Sequence, residues 1–172
     1  VGDLAAVKRL LQTEAVVPVQ TTDGQAVLGI WVCDFTAASL GPHHELQFSI
    51  FVTDRESEPI AVNAFNALSI VLTQPDVRML CHGLWNNTPN VVAYNRELLS
   101  LNARLTTSHI ERTAGEVRFT YRDAATDAGI LSGAIHHPQQ TSPRALLAFM
   151  SAIGVGRSLR IAQQPWISLN VI

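Results

Sequence analysis

From His44 to Val52 the residues alternate strictly, with Leu46, Phe48, Ile50 and Val52 on one side and Glu45, Gln47 and Ser49 on the other. A period of two gives a strand two distinct faces and would scatter the same residues around a helix. The pattern returns at 116–122, where Val117, Phe119 and Tyr121 alternate with Glu116, Arg118, Thr120 and Arg122. Such strands belong in an antiparallel sheet packed on one face and wetter on the other. The chain has 172 residues, 47% of them apolar and 15% charged, which suffices for the core of a single domain over 1–172 and lies far from the composition of a disordered chain.

The remaining elements fit around these strands. Residues 26–35 form a nearly continuous apolar run, predicted as a strand covered on both faces, preceded by 16–20 and a turn at Asp23-Gly24. Residues 39–42 break the chain before the alternating strand. Further strands are predicted at 78–85, 105–112 and 129–136, with turn-rich segments at 113–115 and 123–127. Asp3 is placed to cap a helix carrying Leu4, Val7, Leu10 and Leu11, and Thr88-Pro89 opens another through Leu99, with proline in the first turn, where its missing N–H costs little. Helices are also predicted at 63–73 and 144–153. The expected class is α+β, a mainly antiparallel and strongly curved or barrel-like sheet with packed helices.

Composition narrows the partners. A net charge of -2 and dispersed basic residues give no footprint for nucleic acid, and no apolar run approaches the roughly 18 residues that cross a bilayer. No nucleic acid or membrane partner is expected, and the location expected is cytoplasmic. Cys33 and Cys81 lie in apolar stretches and are read as buried, inert thiols. The chain starts at Val1 without a methionine, so an N-terminal truncation is expected.

Two segments carry chemistry-bearing residues. Gly41-Pro42-His43-His44-Glu45 puts a carboxylate at the start of a strand, on the side of Gln47 and Ser49. That side is either solvent-facing, which makes Glu45 a polar strand end, or lines a cleft, where burial raises a carboxyl pKa into the acid/base range. The second segment runs from Asn95-Arg96-Glu97 through Asn102-Ala103-Arg104. The histidine pairs His43-His44 and His136-His137 are not read as metal sites, because neighbours on a strand point to opposite faces. No metal and no cofactor is expected.

These segments, with the 4–11 helix, the 27–35 strand and the Ser39-Leu40-Gly41 turn before Glu45, follow one another as in acetoacetate decarboxylases, and roughly residues 3–112 resemble that family. In the family a Gly-Arg-Glu tripeptide is followed by Pro-Lys-Lys, and the first lysine forms an imine with the substrate ketone. The resemblance implies that Glu45 is an active-site glutamate and that Arg96 and Glu97 are retained, with Asn95 in place of the glycine. Asn102 stands for the proline, Ala103 for the imine-forming lysine and Arg104 for its neighbour. The position of a second family glutamate falls near Ile30, which cannot ionise, and the position of the family's substrate-carboxylate arginine falls before Val1, outside the sequence.

Lys8 is the only lysine in the chain. A guanidinium stays protonated and is no nucleophile, so Arg104 cannot replace the lost amine. Two readings remain. One is an enzyme of lyase or isomerase type that uses general acid/base chemistry (dehydration, cyclisation, an aldol-type step or isomerisation) on a small oxo compound, with Glu45 as proton carrier and Arg104, Asn102, Gln47, Arg96 and Glu97 around the substrate. The other is a protein of the same fold that binds a small molecule without turnover. A homo-oligomer is compatible with both. Incubation with acetoacetate and borohydride is predicted to leave no reduced adduct, and a stoichiometric adduct on Lys8 by mass spectrometry would restore imine chemistry.

Overall fold

A computed structural model describes residues 1–12, 14–54, 60–63, 66, 70 and 74–136. Helix α1 (Leu4–Leu10) begins where the Asp3 carboxylate accepts the Ala6 N–H at 2.6 Å. It is followed by β1 (Val16–Pro18), β2 (Gln20–Thr21), β3 (Leu28–Phe35), β4 (His43–Asp54), β5 (Ala61–Val62) and β6 (Arg78–Asn86). Helix α2 (Pro89–Glu97), with proline in its first turn, leads to β7 (Ala103–Arg112), β8 (Glu116–Asp123) and β9 (Gly129–His136). The helix predicted at 63–73 lies largely outside the described residues, and the one at 144–153 entirely so.

Seven strands form one sheet in the order β1-β4-β6-β7-β8-β9, with β3 also paired to β4, while β2 and β5 make a separate parallel pair. Every pairing in the large sheet is antiparallel except β6 with β7, which run parallel because α2 crosses between them. β7 pairs β6 only from Ala103 to Leu105 and continues past the end of β6 to pair with β8. The result is a strongly curved half-barrel.

Cross-strand partners share a face, so the register sorts the side chains. Leu46, Phe48, Ile50 and Val52 fall on one face with Trp85 and Leu80, while Glu45, Gln47 and Ser49 fall on the other with Asn86, Leu84 and Cys81. The bulge between Phe48 and Ser49 falls in β6, which has an extra residue there, so β4 keeps its alternation. The Leu46 face is the concave one. On it Tyr121 of β8 spans the half-barrel to donate its hydroxyl to the Glu45 carbonyl at 3.1 Å, and Ser108 and Arg112 of β7 meet His44 and Asp34. At the other end of this face α1 packs Val7 and Leu11 against Ile50 and Val52. Helix α2 covers the opposite face, with Val92 against Leu84 and Ala103.

Two expectations need correcting. Strand β3 is not covered on both faces: Ile30 is 57% exposed, and Leu28, Trp31 and Phe35 are also exposed. In the large sheet β3 pairs with β4 alone, so its apolar residues lie at the margin. Leu10 is likewise exposed, since a helix of two turns has its core contacts at Val7 and Leu11. Elsewhere small residues allow close packing: a Cβ on Gly133 would lie 2.8 Å from Phe119, whose ring covers its cross-strand glycine.

Tyr121 is fully buried. Its ring removes about 150–250 Å² from water, worth roughly 4–6 kcal/mol at ~25 cal/mol per Å², whereas its hydroxyl bond contributes about 1 kcal/mol. Ring burial therefore outweighs the hydrogen bond. Tyr121→Phe is expected to lower the unfolding free energy by about 1 kcal/mol and Tyr121→Ala by about 3–5 kcal/mol in urea titrations.

Candidate functional site

Glu45 lies opposite Cys33 on one side and Asn86 on the other. Its carboxylate accepts a 2.9 Å hydrogen bond from Asn86 Nδ2, and Asn86 Oδ1 in turn accepts one of 3.0 Å from Asn95 Nδ2 on α2. The order of the relay follows from its end. An ionised carboxylate has acceptors only, so Asn86 must turn its NH2 toward Glu45 and leave its oxygen for Asn95. Asn86 is fully buried and Asn95 nearly so, so both amides are fixed by packing and bonding, whereas Glu45 is half-buried and reachable from solvent. A carboxylate held in one orientation beside open space can receive or deliver a proton.

The other residues singled out in the sequence are spread around Glu45 unevenly. Gln47 shares its face and donates Nε2 to Ser49 Oγ at 2.6 Å, and beside it the exposed Trp31 and Met79 add apolar surface. Ala103 is fully buried on the same face, beneath α2 and paired with Leu84. Arg96 binds the Ala103 carbonyl through Nε at 2.6 Å, tying the end of α2 to the start of β7. Glu97 and Asn102 are exposed on the connection between those elements. Arg104 pairs with Trp85 and lies over its ring, 5.8 Å from the centroid, on the face opposite Glu45. The structure thus brings Glu45, Gln47 and Ala103 to one face and sends Arg104 to the other.

Burial and the nearby Glu45 charge push the Cys33 thiol up to about 11, and the same two causes raise Cys81. Both cysteines are free. Burial, with the Cys33, Asp34 and Glu45 charges, also pushes up the Tyr121 phenol, which keeps its proton for the Glu45 carbonyl. Among the described residues no group of three His, Cys, Asp or Glu is placed to hold a metal ion. His43 stacks on Phe35 and bonds the Gly41 carbonyl through Nδ1 at 2.9 Å, while its neighbour His44 points to the concave face. An open groove of about 600 Å³ lies away from Glu45, lined by Gly2, Asp3, Leu4, Lys8, Gly24 and Gln25 among others.

Asn86 escaped sequence reasoning, and Asn95 entered it only as the residue in place of a family glycine. Asn86 opens the tripeptide Asn86-Asn87-Thr88, which spells a glycosylation acceptor, but its complete burial leaves no room for a glycan on the folded chain. The usable signal was Asn95, a polar residue one helical turn after the apolar Val91 and Val92. No protein-family model, curated protein or solved structure matches the chain.

At pH 8 the raised Cys33 pKa leaves about a hundredth of the thiolate of an ordinary cysteine. Iodoacetamide should therefore modify Cys33 about 100-fold more slowly than an unfolded control at pH 8, with the rate climbing toward pH 11. Glu45→Gln removes one of the two causes, so it should speed the alkylation. An unchanged rate in that variant would show that the carboxylate does not act on the thiol.

Proposed function

We propose that the chain is a divergent member of the acetoacetate decarboxylase-like family that performs general acid/base chemistry on a small oxo compound, without an imine. The observation that supports this most is the Glu45–Asn86–Asn95 relay, which orients a half-buried carboxylate on the same sheet face as the buried Ala103. In this reading Glu45 removes a proton from the carbon beside the substrate carbonyl, forming an enolate. Returning that proton at another atom completes an isomerisation, and in a β-hydroxy substrate the enolate expels the hydroxyl group, which takes the proton from Glu45 and leaves as water, completing a dehydration. Gln47 and the Trp31 and Met79 surfaces would receive the substrate body. Arg96 acts through the backbone at Ala103, and Arg104, on the other face, is left out of the reacting group. The setting proposed is cytoplasmic, with self-association covering the exposed apolar residues of β3.

A second reading, small-molecule binding without turnover, is favoured by one specific feature. On the face of Glu45, Gln47 with the exposed Trp31 and Met79 offers an amide and two apolar surfaces, groups that hold a ligand without reacting with it.

Deuterium uptake beside the carbonyl, followed by NMR in D2O for small oxo acids such as acetoacetate and pyruvate, tests the proposal. Wild type should accelerate exchange over buffer, and Glu45→Gln, which keeps the shape and removes the ionisable group, should lose about 100- to 10,000-fold. Glu116→Gln should have much less effect. Near-wild-type exchange in Glu45→Gln overturns the acid/base reading, and saturable binding without exchange puts the binding reading in its place.

A further inference from the structure

The concave face carries a second polar constellation that the Glu45 reading does not use. Asp34 of β3 and His44 of β4 are cross-strand partners, and β7 brings Ser108 to them from beyond the end of β6. His44 Nδ1 lies 2.9 Å from Ser108 Oγ, and His44 Nε2 lies 3.6 Å from Asp34 Oδ1. Arg112 directs Nε and Nη2 at Asp34 Oδ2, at 3.1 and 2.9 Å, which fixes the carboxylate with its other oxygen toward the imidazole. The His44 and Asp34 side chains are 24% and 16% exposed and Ser108 is half-buried, so the cluster is partly desolvated and still reachable.

The tautomer follows from the acceptors. A carboxylate near Nε2 favours the proton on that nitrogen, which leaves the Nδ1 lone pair to accept the Ser108 hydroxyl proton. This is the connectivity of a serine nucleophile, its base and an orienting acid, recognised by roles rather than by sequence order. The two ring nitrogens are exchanged relative to the serine protease arrangement, and an imidazole can serve through either. The 3.6 Å contact exceeds a hydrogen bond, and catalytic contacts commonly tighten when substrate binds.

We propose that Ser108, His44 and Asp34 form an acyl-transfer site for small carboxylic esters. Ser108 Oγ bonds to the ester carbonyl carbon while its proton passes to His44 Nδ1. Collapse of the tetrahedral adduct breaks the bond to the leaving alkoxide, which takes that proton and departs as the alcohol. Water then attacks the acyl-serine, giving its proton to Nδ1, and the acid leaves as Ser108 regains a proton. The net reaction is ester plus water to acid plus alcohol. Arg112 is a positioning residue, acting through Asp34. The carboxylate of Glu45 lies on the other face, so this site stands or falls independently of the oxo-compound reading.

A fluorophosphonate probe, which traps activated serines, tests the site on the full chain, with intact-mass and peptide readout. Wild type should gain one adduct on Ser108, and His44→Gln, confirmed folded by circular dichroism, should label about 100-fold more slowly or less. Hydrolysis of 4-nitrophenyl acetate should fall in parallel. Ser108→Ala should abolish the adduct. Absence of an adduct in wild type overturns the proposal whatever the variants do. So does equal labelling in folded His44→Gln, or an adduct that survives in Ser108→Ala on another residue.

Discussion

The curl that carries β7 and β8 over the start of β4 is the constraint on which the rest depends. Tyr121 is its centre, because its ring is buried against the strands it reaches and its hydroxyl satisfies the carbonyl of Glu45. An unsatisfied carbonyl at that depth would cost about 1–3 kcal/mol, so hydroxyl and ring act together in holding two distant strands at one spacing. The Arg112–Asp34 pair on the same seam is half open to solvent at the arginine and contributes far less. Geometry at the seam is thus set by an aromatic side chain and refined by charge.

Placing Tyr121 on the concave face forces the neighbours of Leu46 outward. Glu45 shares its backbone with the seam and turns its side chain to the α2 side, where Asn86 and Asn95 receive it. Two chemically different surfaces therefore meet at one residue pair, His44 and Glu45. His44 faces the serine and aspartate of the concave side, and Glu45 faces the buried amides of the other. Strand alternation alone produces this division, since consecutive residues on an extended chain point oppositely.

The parallel β6–β7 pair has a different role. It buries Ala103 against Leu84 and Val92, and a lysine at that position would begin beneath α2, close to the face of Glu45 and Gln47. With alanine there, the volume is part of a small apolar cluster. Arg96 closes the same junction through its bond to the Ala103 carbonyl, which gives that arginine a structural task whatever reaction the chain performs.

The sequence by itself determined these strands, because alternation at 44–52 and 116–122 and the turn-rich segments that bound 78–85, 105–112 and 129–136 are local properties: all five are strands within a residue or two, and Asp3 caps its helix. It also placed Glu45 with Gln47 and Ser49 on one side, since alternation persists through the bulge. Exposure of β3 was not legible, because an apolar run reads alike whether a strand is central or marginal, and position in a sheet is decided by pairing far along the chain. Nor was the pairing of β6 with β7, which decides that Ala103 takes the face of Glu45 and Arg104 the face of Leu46. The contacts of Glu45 with Asn86, 41 residues away, and of His44 with Ser108, 64 residues away, belong to tertiary structure alone. Local pattern fixes which way a side chain points from its own strand, and only the curl of the sheet decides what it meets there.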